Sequence, residues 1–138
     1  MAKFVYTSPK ITLNGTANDI SSAVRQVVLD INAAEVETTG FGSSGWVEMV
    51  AGLKSGSVQI DFLDDVAASA IDSTIWGLFG GTAAITIRPG GTAAIGTSNP
   101  EYQGTVLVNQ TTTGGAVGDL ATKSVTWPST GTISRATA

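Results

Sequence analysis

The hydrophobic period changes once, in the middle of the chain. Ser57-Val58-Gln59-Ile60-Asp61-Phe62 alternates polar and apolar residues, the pattern of a strand with one buried face. From Asp64 onward the spacing becomes helical. Val66, Ala67, Ala70, Ile71, Ile75, Leu78 and Phe79 recur at the period of one helix face. This predicts a helix over about 64–79. Asp64 or Asp65 can accept from the free N–H groups of the first turn, and both carboxylates suit the positive end of the helix dipole. Gly80-Gly81 supplies a residue able to turn left-handed at the far end.

The remainder of the chain reads as short strands between turns. Phe4 to Tyr6 forms a short apolar segment before Pro9, an N-terminal arm or edge strand over 1–9. Ile11-Thr12-Leu13 leads into the tight-turn dipeptide Asn14-Gly15. A strand follows at about 23–32, with Arg25, Val27, Leu29 and Ile31 on one face and Gln26, Val28, Asp30 and Asn32 on the other. Residues 33–45 read as a long mobile connection, and Trp46 to Val50 begins the return. Gly52-Leu53-Lys54-Ser55-Gly56 reads as a turn or bulge. Further strands are predicted at 83–88, 102–110, 120–127 and 132–135, the last two separated by Pro128. The hexapeptide Gly80-Gly81-Thr82-Ala83-Ala84-Ile85 recurs from Gly90 to Ile95, but a solenoid needs more repeats than that. One amphipathic helix among many strands predicts a mainly β fold, a sandwich or small barrel with one flanking α-helix.

Composition narrows the chemistry. At 138 residues and 14.0 kDa the chain is one domain, 1–138, able to bury a real core. Only 13% of residues are charged, about half the usual fraction, which fits a subunit that covers its surface with copies of itself. The absence of Cys removes disulfides, thiolate metal sites and a Cys nucleophile. The absence of His removes the commonest general base and metal ligand. Seven basic residues lie scattered against eleven acidic ones, a net charge of −4 without the basic patch of a duplex-binding protein. No apolar run has the length of a membrane span, and the segment from Met1 to Tyr6 lacks a signal-peptide core, so use without secretion is expected.

Three patterns invite a chemical reading. Gly40-Phe41-Gly42-Ser43-Ser44-Gly45 has GxGxxG spacing, but a dinucleotide fingerprint must open a helix, and Trp46 to Val50 reads as strand. Asp61, Asp64, Asp65 and Asp72 lie close in sequence but lack calcium-loop spacing, and helix capping already accounts for acids at this position. Trp76 falls in the helix's apolar set and Trp127 alternates with Val125, so both read as core or subunit contacts. Trp46, beside the Gly-rich loop, is the interface candidate. No catalytic residue, metal ligand or cofactor is expected.

Taken in order, three stretches resemble a phage tail tube protein of long, non-contractile-tailed bacteriophages (the siphovirus type). They are Leu13-Asn14-Gly15 through Ile31; Gly52-Leu53-Lys54-Ser55-Gly56-Ser57 through Trp76-Gly77-Leu78-Phe79-Gly80; and Val117-Gly118-Asp119-Leu120 through Trp127-Pro128, with Gly131 and Arg135. The resemblance implies a non-enzymatic virion protein whose hexameric rings stack into a hollow tube that conducts DNA into the host. It implies a tape measure protein and tail tip, baseplate and terminator proteins as partners, and assembly in the host bacterial cytoplasm. It further implies that the N-terminal arm (1–9), a long stacking loop (33–50) and a C-terminal arm (131–138) bridge rings and subunits. The corresponding contact candidates are Phe4, Tyr6, Glu35, Glu37, Thr38, Phe41, Trp46, Glu48 and Arg135. The polar strand faces, Gln26, Asp30 and Asn32 with Ser57, Gln59 and Asp61, become lumen-wall candidates. A wall that is not basic suits DNA passage, because a basic one would bind phosphates and hold them. The competing readings are a capsid decoration protein or a carbohydrate-binding β-sandwich module, and, against the missing His and Cys, a small hydrolase.

Overall fold

The computed structural model describes residues 5–14, 19–64 and 71–138. The described residues form two antiparallel sheets and one helix. Strand β1 (Lys10–Leu13) pairs with β4 (Thr82–Arg88), β4 with β5 (Glu101–Leu107), and β5 with β7 (Ser134–Ala136). The second sheet has β3 (Met49–Leu63) at its centre, between β2 (Val24–Glu37) and β6 (Thr122–Pro128). Helix α1 (Ile71–Leu78) precedes β4.

Period-two alternation builds the core. Val58, Ile60 and Phe62 of β3 are buried, and the pairings Val58↔Trp127 and Ile60↔Val125 put Trp127 and Val125 on the same face. Ile85 and Ile87 of β4, Val106 of β5 and Ile11 and Leu13 of β1 answer from the other sheet. Ile71 and Ile75, one helical turn apart, add the buried stripe of α1. Each fully buried Ile or Phe stabilises the fold by roughly 1.5–3 kcal/mol relative to an exposed one. Phe62 and Trp127 meet as tilted rings 6.3 Å apart.

Several element boundaries differ from the sequence pattern. β2 runs on to Glu37 and β3 starts at Met49, so the expected 33–50 loop shrinks to residues 38–48. Ala34, Glu35 and Glu37 are poor strand formers, and pairing with β3 overrides their propensity. Gly52 to Gly56 is strand rather than turn. The register jumps from Ala33↔Lys54 to Glu35↔Ala51, which places one extra β3 residue there, a β-bulge. β5 ends at Leu107 rather than 110, β6 incorporates Pro128, and the last strand falls at 134–136. The segment expected as a C-terminal arm therefore contributes β7 to the body. Asp65, Val66, Ala67 and Ala70 of the expected helix lie outside the described residues. Asp64 lies in coil, its backbone N–H donating to the Ala121 carbonyl. Trp76 is not core: it is 71% exposed and stacks on Phe79.

Ile133 joins the two sheets. A Cβ on Gly56 would stand 2.8 Å from Ile133 Cδ1 and 2.9 Å from the Asp30 carbonyl, and one on Gly104 would stand 3.2 Å from Ile133 Cγ1. The two glycines are notches, one in each sheet, that receive the same side chain. Nearby, Ser129 donates its N–H to Gly56 O and Thr130 donates to Thr105 O, tying the end of β6 to both sheets.

Two ionic groups inside the fold are fully engaged. Lys123 is 0% exposed on the inward face of β6, and its ammonium donates to Asp72 Oδ1 (3.1 Å), Thr111 Oγ1 and Thr113 Oγ1 (both 3.2 Å) and the Thr112 carbonyl. A buried cation with that many acceptors holds helix, strand and loop together. Glu101 accepts from Arg88 Nε (3.0 Å) and Nη2 and from Gln103 Nε2 (2.8 Å). Burial pushes its carboxyl upward, but the hydrogen bonds from Gln103 and Arg88 and the Arg88 charge outweigh that and hold it below 4.5.

Two outcomes follow for stability. Gly56→Val forces a side chain against the Asp30 backbone as well as Ile133, and should cost about 1–3 kcal/mol in urea unfolding. Because the folded-state carboxyl of Glu101 lies below its unfolded value, its contribution is present above that value and lost as pH falls through the folded one. Thermal melts from about pH 5 to about pH 3 should therefore fall less steeply for Glu101→Gln than for the parent.

Candidate functional site

The outward face of the three-stranded sheet is polar and continuous. In register across it run Gln26, Asp61 and Ser124; Val28, Gln59 and Thr126; and Asp30, Ser57 and Pro128. Asn32 pairs with Ser55 at the next step. All six lumen-wall candidates thus share one face, opposite the face carrying Val58, Ile60 and Phe62. Asp61 accepts from Ser124 Oγ at 2.6 Å. Asp30 and Asp61 are the carboxylates of this face, and Arg25 lies at its margin beside the register shift between Val24 and Gln26. A surface of amides, hydroxyls and two acids offers phosphate few cations to hold.

Beyond the body, the β2–β3 hairpin projects as an arm. Every residue from Asp30 to Gly42 is exposed, and on the return only Gly52 is partly covered before Gly56. At about 3.3 Å per residue, the stretch from Ile31 to Glu37 reaches roughly 20 Å. The arm is apolar as well as exposed: Val36, Met49 and Val50 are about half exposed, Trp46 is 77% exposed and Leu53, at the bulge, 88%. Large apolar side chains gathered on an exposed projection form the kind of patch that commonly marks an interaction surface.

The arm's tip is ordered by its own hydrogen bonds. Thr38 N donates to Glu48 O and Glu48 N to Thr39 Oγ1, both at 2.9 Å. A single 3₁₀ turn, Phe41–Ser43, follows, with Gly40 N donating to Ser43 Oγ at 3.1 Å and Trp46 N to Ser43 O at 3.0 Å. Ser44 and Gly45 take positive φ, 54° and 85°, to reverse the chain. The GxGxxG spacing therefore forms a hairpin tip and opens no α-helix, which removes the geometry of a dinucleotide site.

The contact candidates fall into two groups. Glu35 and Glu37 lie on the arm's β2 strand, while Thr38, Phe41, Trp46 and Glu48 lie on its tip. Tyr6 and Arg135 belong to the body. Tyr6 lines a depression of about 260 Å³ with Ile31 and Tyr102, and Arg135 pairs in register with Tyr102. Phe4 lies outside the described residues. The sequence pattern missed Leu53, Val36, Met49 and Val50, and it missed the Trp76–Phe79 pair, whose rings stack at 6.2 Å with 9° between planes. For the pair the signal was available: with Ile71 and Ile75 inward, Trp76 and Phe79, three residues apart across the end of the helix, fall beside that buried stripe. Among the described residues no group of three or more acidic, His or Cys residues could hold a metal ion, and no helix is long and apolar enough to cross a membrane.

No protein-family model matches the chain, and no curated protein matches it. Solved structures do. A chain of the tail of an empty gene transfer agent particle, with C6 symmetry, superposes with a TM-score of 0.71 over 92% of this chain and 92% of that one, at 21% identity. The chain shares the fold of that tail chain. A chain of the virion of a native gene transfer agent particle superposes with a TM-score of 0.70 over 91% of this chain and 95% of that one, at 17% identity. The likeness spans the whole fold, since more than nine-tenths of each chain is covered in both cases.

In this tail fold the arm should be separable from stability. Leu53→Asp, at an 88% exposed position, should shift unfolding free energy by no more than about 0.5 kcal/mol. The same change should lower self-association measured by light scattering. A large loss of stability would show that the arm packs on the body.

Proposed function

We propose that the chain is a structural virion protein, the subunit of a phage-type tail tube, and not an enzyme. The observation that carries this reading is the full-length likeness to a chain of a C6-symmetric tail. Six copies form a ring, and rings stack into a hollow tube through which DNA passes. The polar face of Gln26, Asp30, Asn32, Ser57, Gln59 and Asp61 lines the lumen and leaves DNA free to slide, because it offers few cations for phosphates. The arm, through Glu35, Glu37, Thr38, Phe41, Trp46 and Glu48, reaches the adjacent ring. Its exposed apolar side chains support that role, since burying them against a neighbour removes an otherwise unfavourable surface from water. The N-terminal segment with Phe4 and Tyr6, and Arg135 near the C-terminus, contact neighbouring subunits. A tape measure protein within the tube, and tip, baseplate and terminator proteins at its ends, complete the set of partners. Assembly takes place in the host bacterial cytoplasm, and the mature protein resides in the virion tail.

Negative-stain microscopy of the purified protein, alone and with tail tips, tests this. Uniform hollow tubes are expected. Persistent monomers or discrete trimers in the presence of tips would reject the tube reading in favour of a decoration or sugar-binding module. Deleting Thr38 to Ser44 should leave the circular dichroism and melting of the subunit unchanged while reducing tube growth. Tubes of unchanged yield and length would remove the stacking role from the tip.

A further inference from the structure

The three-stranded sheet has two edges, and they are treated differently. β2 is one edge, and among the described residues no strand pairs with its outer side over its fourteen residues. β6 is the other edge, and three of its outward backbone groups are occupied by side chains. Thr112 Oγ1 accepts from Ser124 N (3.3 Å) and donates to Ser124 O (3.1 Å). Gln110 Oε1 accepts from Thr126 N (3.0 Å). In an antiparallel pair the outward groups fall at alternate residues. The next outward position along β6 is Pro128, which has no N–H to offer. From Ser124 to the end of the strand, every outward donor is therefore taken or absent.

The segment that takes them is anchored from the inside. Trp127 Nε1 donates to the Gln110 carbonyl at 2.9 Å, and buried Lys123 donates to Thr111 Oγ1, the Thr112 carbonyl and Thr113 Oγ1. Lifting the segment away would strand a buried indole N–H and leave a buried ammonium with Asp72 alone, so it is a fixed part of the subunit. Gln110 and Thr112 themselves are solvent-exposed or nearly so, and contribute little to the core.

We propose that residues 110–113 are a guard on the β6 edge, which makes extension of the three-stranded sheet one-sided. The guard denies β6 to the exposed edge of another strand, and the strand it chiefly excludes is β2 of a second copy. An open edge strand is a template for uncontrolled pairing, and a chain with two open edges on one sheet can add to itself without limit. With the outward donors of β6 taken, β2 is the edge of this sheet left open among the described residues, and backbone pairing through it ends at two copies. The geometry of the guard stands on the hydrogen bonds alone; the choice of a second copy as the excluded partner rests on the tail-subunit reading.

The test removes the guard's side chains and leaves its anchors. Gln110→Ala with Thr112→Val frees the Ser124 and Thr126 groups without touching Lys123 or Trp127. The doubly substituted protein should keep the parent's near-ultraviolet circular dichroism. In dilute solution its Ser124 and Thr126 amides should lose hydrogen-exchange protection. As concentration rises, its weight-average mass by light scattering should climb above that of the parent at the same concentration. Thr112→Val alone should give a smaller rise, and Thr112→Ser should behave as the parent. Parent-like mass for both Val-bearing variants, with the amides deprotected, would overturn the proposal. So would unchanged exchange at both amides. The outcome is independent of tube formation: a parent that forms no tubes alongside a variant that associates would reject the tail reading and keep the guard.

Discussion

Fifteen residues of β3 cross two environments on one unbroken strand. From Ser57 to Leu63 it is flanked on both sides, by β2 and β6, and its alternate side chains enter the core. From Met49 to Ser55, among the described residues, only β2 accompanies it, and both faces meet solvent. The inward half needs apolar residues at every second position. The outward half needs only a partner strand to satisfy its backbone, because a two-stranded ribbon leaves both side-chain faces open. A bulge at Gly52-Leu53 falls within that outward half, and so does the change in surface character. The division between stable body and projecting arm thus comes from where β6 stops.

That division explains how much of the fold was legible. The core half of β3 shows its alternation plainly, as do β4 and β6, and the switch to helical spacing marks α1. Burial enforces those patterns, so they are written into the residues. The arm is under no such requirement. Ala33 to Glu37 has no period and weak strand propensity, and it reads as loop because hairpin pairing alone makes it strand. Gly52 and Gly56 read as turn or bulge residues because glycine breaks strands more often than it fits them. Here one lies at a bulge and the other is a notch for Ile133. That role depends on a residue far along the chain, which no local window contains.

The candidate surfaces show the same asymmetry. The six polar residues assigned to one wall do lie on one face, because period two and register determine faces together. Lys123 could have been noticed, since it alternates inward with Val125 and Trp127. What could not be read was its set of acceptors from α1 and from the segment at 111–113. The core half of the Trp76 reading fails for a related reason. A broad apolar set on a helix says which residues are hydrophobic, and only the packing of Ile71 and Ile75 says which part of the set is covered.

An arm that draws nothing from the core has a consequence for how such chains drift apart. Two solved chains share this architecture at 17% and 21% identity. Inward positions tolerate exchange among apolar residues of similar volume, while arm residues answer only to whatever they touch. Substitutions at the tip can accumulate without passing through unstable intermediates, so recognition is free to diverge faster than shape. What such a hairpin touches can therefore change while the body that carries it stays nearly superimposable.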